Sequence, residues 1–265
     1  MLSYRHGFHA GNFADLLKHF TLALCIDYLK QKPAPVRYID THAGAGQYNI
    51  KSPMAAKTGE FRSGAGALDW AALPAQAQSL REVVQSCLDT GHYPGSPLIA
   101  ARLLRNRDEL RLFELHTTEY PLLQKLFARD RRVRVFTDDG FAAMKSQLPV
   151  KSARALVLLD PSYERREDYS DLVSAVTEGL KRMSNALLII WYPIVDSRAT
   201  ERMLKQITRL TPEPLLAEFE LNQPGPGMRA CGVAVLNPPW TLAADLTAVL
   251  TPIAGQLDGK LRLTA

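Results

Sequence analysis

Residues 156–168 read LVLLDPSYERRED. An apolar run delivers Asp160, and Pro161, Ser162 and Tyr163 follow at once. Residues of these types at this spacing could hold the exocyclic amino group of a nucleobase. Such an amine is a poor nucleophile, because its lone pair is delocalised into the ring. A carboxylate and a backbone carbonyl that accept its two N–H bonds pull density toward nitrogen and orient the lone pair. Asp160 and the Pro161 carbonyl could supply both acceptors. The proline stiffens the turn, and Tyr163 could stack on an extruded base. The plain alternative is a strand end with a turn after it.

Enzymes that methylate base amines carry Asp, Asn or Ser here, then two prolines and an aromatic. Ser162 stands where the second proline would be, which costs rigidity and adds an N–H donor. Residues 237–240, NPPW, fit the pattern better. They close the last strand of the pattern, far along the chain. In a sheet whose last strand runs antiparallel, that end faces away from the others, and Asn-Pro-Pro is a good strand terminator. The chemical reading therefore goes to 160–163 and the structural one to 237–240.

A second cluster of candidates opens at DTHAGAG, Asp40–Gly46. A strand followed by a glycine-rich turn lets the backbone approach a ligand. Gly44 and Gly46 are present, but Asn49 stands where a third glycine would fall, so an ordinary tight turn fits as well. Nucleoside-binding sheets place an acid at the end of strand two, usually ~20 residues on. Here that acid is Glu114 of FELH, displaced by an insertion; its alternative is a surface carboxylate. Strand three ends in TDDG, so Asp139 and Gly140 could hold the base of the same nucleoside. Three successive strand ends then present Gly, Glu and Asp at the edge where open α/β sheets bind ligands.

The elements that must position these residues follow from periodicity. Short β-rich runs predict strands at 36–40, 110–115, 133–137, 155–160, 186–192, 216–221 and 232–237. Several are apolar almost throughout, as central strands covered on both faces are. Helices are expected at about 12–31, 119–129, 139–147, 168–182 and 197–209, and Asn12 could cap the first. The alternation predicts a doubly wound α/β sheet. Residues 47–95 break the rhythm. They show no convincing strand and read as helical over 65–72 and 74–89, a helical insertion after strand one.

Bulk properties narrow the class. Of 265 residues 46% are hydrophobic, enough for a large core. No run reaches the ~18 apolar residues of a membrane helix, and MLSYRHGFHAGNF has no apolar signal core. Cys25, Cys87 and Cys231 form no CxxC pair, which fits a reduced, cytoplasmic protein without a cysteine zinc site. His6, His9 and His19 lack zinc-site spacing, so no metal is expected. The net charge of +5 suits a polyanionic partner without demanding one. The basic runs Arg102–Arg105–Arg107 and 128–135 read as solvated surface, with nucleic-acid contact the alternative. Lys18 and His19, side by side on a helix, read as solvent-facing.

Together, LSYRHGFHAGNFADLLKH, DTHAGAG, YPGSPLIA at 93–100, FELH, DG and LDPSYE resemble the RlmJ family in order and spacing. The resemblance covers nearly the whole chain. It implies a Rossmann-like, seven-stranded class I sheet and an S-adenosylmethionine-dependent methyltransferase that N6-methylates one adenine of 23S ribosomal RNA. It implies a methyltransferase domain over 1–46 and 96–265 and a helical insertion subdomain over 47–95. It further implies cofactor contacts from His19, His42, Gly44, Ser96, Glu114, Asp139, Gly140 and Asp160. Asp160, with Pro161 and Tyr163, would be catalytic, with Tyr4, His6 and Lys18 near the substrate. A monomer is the default for such a domain. Two other readings stay open: a DNA adenine methyltransferase, and a non-catalytic RNA-binding module on the same fold.

Overall fold

The computed structural model describes residues 5–151, 153–223 and 227–264. The strands in chain order are β1 (Val36–Asp40), β2 (Gln47–Asn49), β3 (His92–Pro94), β4 (Glu109–Phe113), β5 (Val133–Phe136), β6 (Arg154–Leu159), β7 (Leu187–Pro193), β8 (Leu215–Leu221), β9 (Ala230–Leu236) and β10 (Gly259–Thr264). The helices are α1 (Phe13–Lys30), α2 (Pro53–Thr58), α3 (Glu60–Ser63), α4 (Gln78–Leu88), α5 (Ser96–Leu103), α6 (Glu119–Leu126), α7 (Gly140–Gln147), α8 (Glu167–Arg182), α9 (Ser197–Ile207) and α10 (Leu242–Gln256).

Among the described residues, eight strands form the main sheet in the order β10-β8-β9-β7-β6-β1-β4-β5. Seven were expected; β10 is the addition, paired antiparallel to β8 at the edge. Its Lys260 and Arg262 are exposed, and such charges discourage edge-to-edge pairing. The run from β5 to β7 is parallel throughout. β9 is antiparallel to both β7 and β8.

Side chains along the central strands alternate between two apolar layers, as a period of two requires. Tyr38, Leu156 and Leu158 join the core under α1, α4, α5 and α10. Ile39, Val157 and Leu159 join the core under α7, α8 and α9. The molecule is thus a three-layer αβα sandwich, and helices cover both faces because neither face of the central strands is polar.

The sequence reading of 47–95 as strand-free needs correction. β2 and β3 pair antiparallel, Gln47 opposite Pro94, and close the base of the insertion. Between them lie α2, α3, three single 3-10 turns and α4. Leu80, Val83, Val84 and Cys87 of α4 join the same core as α1.

Candidate active site

The carboxyl ends of β1, β4, β5 and β6 surround a cavity of ≈ 260 Å³. It sits where β1 separates strands that continue in opposite directions across the sheet, the usual ligand crevice of such folds. The loop after β1 is pinned on both sides. Thr41 donates its N–H to the Leu158 carbonyl of β6, and Ala43 donates to the Phe113 carbonyl of β4. Gly44 takes φ +60, and a Cβ there would lie 2.2 Å from the Tyr48 hydroxyl. Gly140 is fixed by contact instead: its Cβ would fall 1.8 Å from the Thr41 carbonyl oxygen. Only glycine lets the TDDG turn close on the first loop.

Glu114 lines the cavity and accepts N–H bonds from Gly44 (2.7 Å) and His116 (2.6 Å). It thereby ties the end of β4 to the glycine turn. Burial raises its pKa against those two bonds. Asp139 caps α7 through the Phe141 N–H and also lines the cavity. Ser96 donates to Asp40 at 2.7 Å, as does the Tyr38 hydroxyl at 2.6 Å. Asp40 is fully buried, and burial lifts its carboxyl to about 6 although both hydroxyls favour the charged form. Burial likewise pushes His42 down to about 4 and His19 to about 3. Both imidazoles are neutral at physiological pH.

The wall across from the glycine turn belongs to α1. Asn12 caps this helix as expected, accepting from the Asp15 N–H. The solvent-facing reading of Lys18 and His19 is overturned: they are 4% and 0% exposed. α1 is packed between the sheet, α5 and α10, so its polar residues are buried too. Lys18 Nζ donates to Asp160 at 2.6 Å and lies 2.8 Å from Asp15. Asp15 also accepts from the Gly11 N–H at 2.8 Å and contacts His6 Nε2 at 2.9 Å. Burial opposes charge on both Asp15 and Lys18, yet the pairing wins. Asp15 is held well below the usual carboxylate range, and Lys18 well above that of a free amine. His6, Asp15, Lys18 and Asp160 form one continuous chain of contacts.

His6, Lys18, His19, His42, Gly44, Ser96, Glu114, Asp139, Gly140, Asp160 and Pro161 all line this cavity. Tyr4 lies outside the described residues. Tyr163 is not in the cavity wall. It adopts φ +53, donates its hydroxyl to the Trp191 carbonyl at 2.7 Å and packs on Tyr169. In this geometry its ring anchors the loop instead of offering a stacking face.

The reading of NPPW as a terminator agrees with the geometry. Asn237 Nδ2 donates to the carbonyls of Ser184 and Ala186, just before β7 begins, at the opposite edge of the sheet from the cavity. Sequence reasoning missed Asp15, Asp40, Tyr48 and Glu119, all at or beside the site. For Asp15 a signal existed: Asp15, Lys18 and His19 stand at i, i+3 and i+4 on one face of an otherwise apolar helix.

Fold and site together define a class I, Rossmann-like methyltransferase: a mostly parallel sheet, a glycine turn after β1, acids at the next two strand ends and an Asp-Pro loop after β6. A family model described as "Ribosomal RNA large subunit methyltransferase D, RlmJ" matches residues 33–261. The chain is 44% identical over 259 residues to "Ribosomal RNA large subunit methyltransferase J" of Escherichia coli (strain K12), covering 94% of this chain and 92% of that protein. It is 42% identical, with the same coverage, to the protein of that name from Haemophilus influenzae. A crystal structure of a Legionella pneumophila protein, 34% identical, superposes with a TM-score of 0.91 over 97% of this chain and 98% of that one. The chain belongs to the RlmJ family of ribosomal RNA large subunit methyltransferases.

Proposed function

We propose that this protein transfers the methyl group of S-adenosylmethionine to N6 of a specific adenine in 23S ribosomal RNA. The observation that carries this reading is Asp160. It closes the cavity whose other walls hold Glu114, Asp139 and the glycine turn, so an amine acceptor and a nucleoside-binding edge share one chamber. The donor set suits the cofactor. In this reading Glu114 and Asp139 would meet ribose and base, with Ser96 and Gly140 lining the same chamber. His19 and His42, neutral through burial, would line the chamber without repelling a sulfonium. When bound, the cofactor would supply a sulfonium methyl open to in-line displacement by nitrogen, leaving a neutral thioether, and the methylated amine would lose one N–H proton to solvent after transfer.

The chain's own residues do the rest. Asp160 and the Pro161 carbonyl accept the two amine N–H bonds and aim the lone pair. Lys18 holds the Asp160 carboxylate from the far side, Asp15 holds Lys18, and His6 holds Asp15. Positioning and preorganised charge supply most of the acceleration. In this reading Tyr163 positions the loop, and His6 faces the substrate. Residues 1–46 and 96–265 form the methyltransferase domain, with 47–95 a helical insertion subdomain. The protein works in the cytoplasm, in keeping with its three unpaired, buried cysteines, and acts as a monomer.

Methyl transfer from radiolabelled S-adenosylmethionine to 23S RNA lacking the modification tests the assignment. Wild type should label N6-methyladenosine, and Asp160→Ala should not. Ser162→Pro should match or modestly exceed wild type. Near wild-type turnover by the alanine variant would refute the role of Asp160.

A further inference from the structure

The two basic runs divide their labour. Arg105 is committed to Asp108 and to the carbonyls of Lys30, Lys32 and Ala34. Arg132 is committed to Asp130 and to the carbonyls of Ala101, Leu104 and Arg105. These two hold the ends of α1 and α5 in place and are structural. Arg102, Arg129 and Arg131 are different. All three are exposed, and among the described residues none has an ion-pair or hydrogen-bond partner. They surround one groove of ≈ 620 Å³, floored by Leu98 and Phe127. Among the described residues the one acid lining it, Asp130, is already taken by Arg132. Three unpaired guanidinium groups around one concavity repel one another, and the fold gains nothing from them.

The groove lies at the amino end of β5, away from the cavity, but α6 joins the two. Its first residue, Glu119, lines the cavity, and its last, Leu126, lines the groove. Eight residues of helix span ~12 Å. On the way, Leu122 and Lys125 face solvent one turn apart. A polyanion entering the cavity with one nucleotide can therefore continue across α6 into the arginine groove. Guanidinium forks match phosphate oxygens in pairs, and duplex nucleic acid offers about one charge per ~1.7 Å.

We infer that the groove around Arg102, Arg129 and Arg131 is a second docking site of this enzyme, which grips backbone phosphates of the RNA beyond the target nucleotide. The inference rests on the RNA methyltransferase reading above. The site confers affinity, not base recognition.

The triple variant Arg102→Gln/Arg129→Gln/Arg131→Gln tests it, with matched thermal unfolding as the check on folding. On a long 23S fragment, KM should rise at least ~10-fold with kcat unchanged. The slope of log affinity against log salt should fall by about 2–3, near 0.9 for each lost phosphate contact. On a short oligonucleotide that reaches only the cavity, the variant and wild type should agree. The triple lysine variant should recover the slope. Fluorescence-anisotropy titration of the long fragment, without cofactor, reads the groove independently of chemistry. Equal affinity and equal slope for glutamine variant and wild type would overturn the inference. Absence of methyl transfer by wild type would instead overturn the functional reading, while the titration still decides the groove.

Discussion

Asp15→Asn is the most informative single change in the buried chain that ends at Asp160. Asp15 is 1% exposed and faces four groups at once: His6 Nε2, the Gly11 N–H, Lys18 Nζ and, at 3.7 Å, His19 Nε2. An amide of the same shape carries no charge and turns an NH2 toward one of them. Removing one partner of a buried ion pair costs ~3–5 kcal/mol. Lys18 keeps Asp160, so the lower end, ~3 kcal/mol, applies. For 265 residues the unfolding entropy is roughly 0.56 kcal/mol/K, which converts that loss to a fall of about 5 °C in Tm. The effect on turnover should be larger. Without Asp15, Lys18 falls wholly to Asp160 and draws its carboxylate toward α1. A displacement of ~1 Å costs on the order of 10²-fold in kcat. The pH dependence carries its own sign. Asp15 titrates well below its unfolded value of ~3.9, so its contribution is fully present above that value and lost as pH falls through the lower folded one. The stability gap between wild type and variant should therefore hold steady from neutral pH down to about 4 and narrow below it. Calorimetry across pH and single-turnover methyl transfer read both quantities. A variant that melts within ~1 °C of wild type and keeps its kcat would show that Asp15 does not organise the site.

Two further changes probe other links. Asp40 is raised by burial to about 6, above its unfolded ~3.9. The native state then holds the extra proton between those values, and stability falls as pH rises from about 4 to about 6. Asp40→Asn should remove this component, so the wild-type-minus-variant unfolding free energy should drop by on the order of 2 kcal/mol over that window; a flat difference in urea titrations would refute it. Asn237→Ala loses two carbonyl partners and leaves alanine at φ +55. It should destabilise by roughly 2–4 kcal/mol and leave kcat untouched, and a collapse of kcat in the folded variant would move the chemistry to NPPW.

Much of the sheet was legible because its central strands are apolar on both faces, a signal composition cannot hide. β10 was missed because an edge strand half exposes itself, so KLRLT mixes cations with leucines. α10 was missed because Pro252 sits inside it, and β2 and β3, three residues each, fall below any periodicity. At the site, strand ends were readable by position: Glu114, Asp139 and Asp160 follow apolar runs. The amine-side support was not. Lys18 and Asp160 are separated by 142 positions, and nothing local says that a lysine on α1 is buried. The basic runs illustrate the same limit, since charge alone does not separate Arg105, committed to carbonyls, from Arg102, which has no hydrogen-bond or ion-pair partner among the described residues.

The serine in the Asp-Pro loop bears on how that loop keeps its shape. A second proline would stiffen 160–163 by restricting its own φ and the residue before it. Ser162 gives up that constraint, yet the next residue supplies another. Tyr163 is held in the left-handed region, which costs a non-glycine residue roughly 1–2 kcal/mol, and persists there because its hydroxyl is bonded to Trp191 and its ring is packed on Tyr169. A loop fixed at Asp160 by Lys18 and at Tyr163 by Trp191 has little freedom left between those points. The rigidity that proline provides chemically is provided here by two tertiary anchors, so Ser162→Pro has little left to gain in kcat.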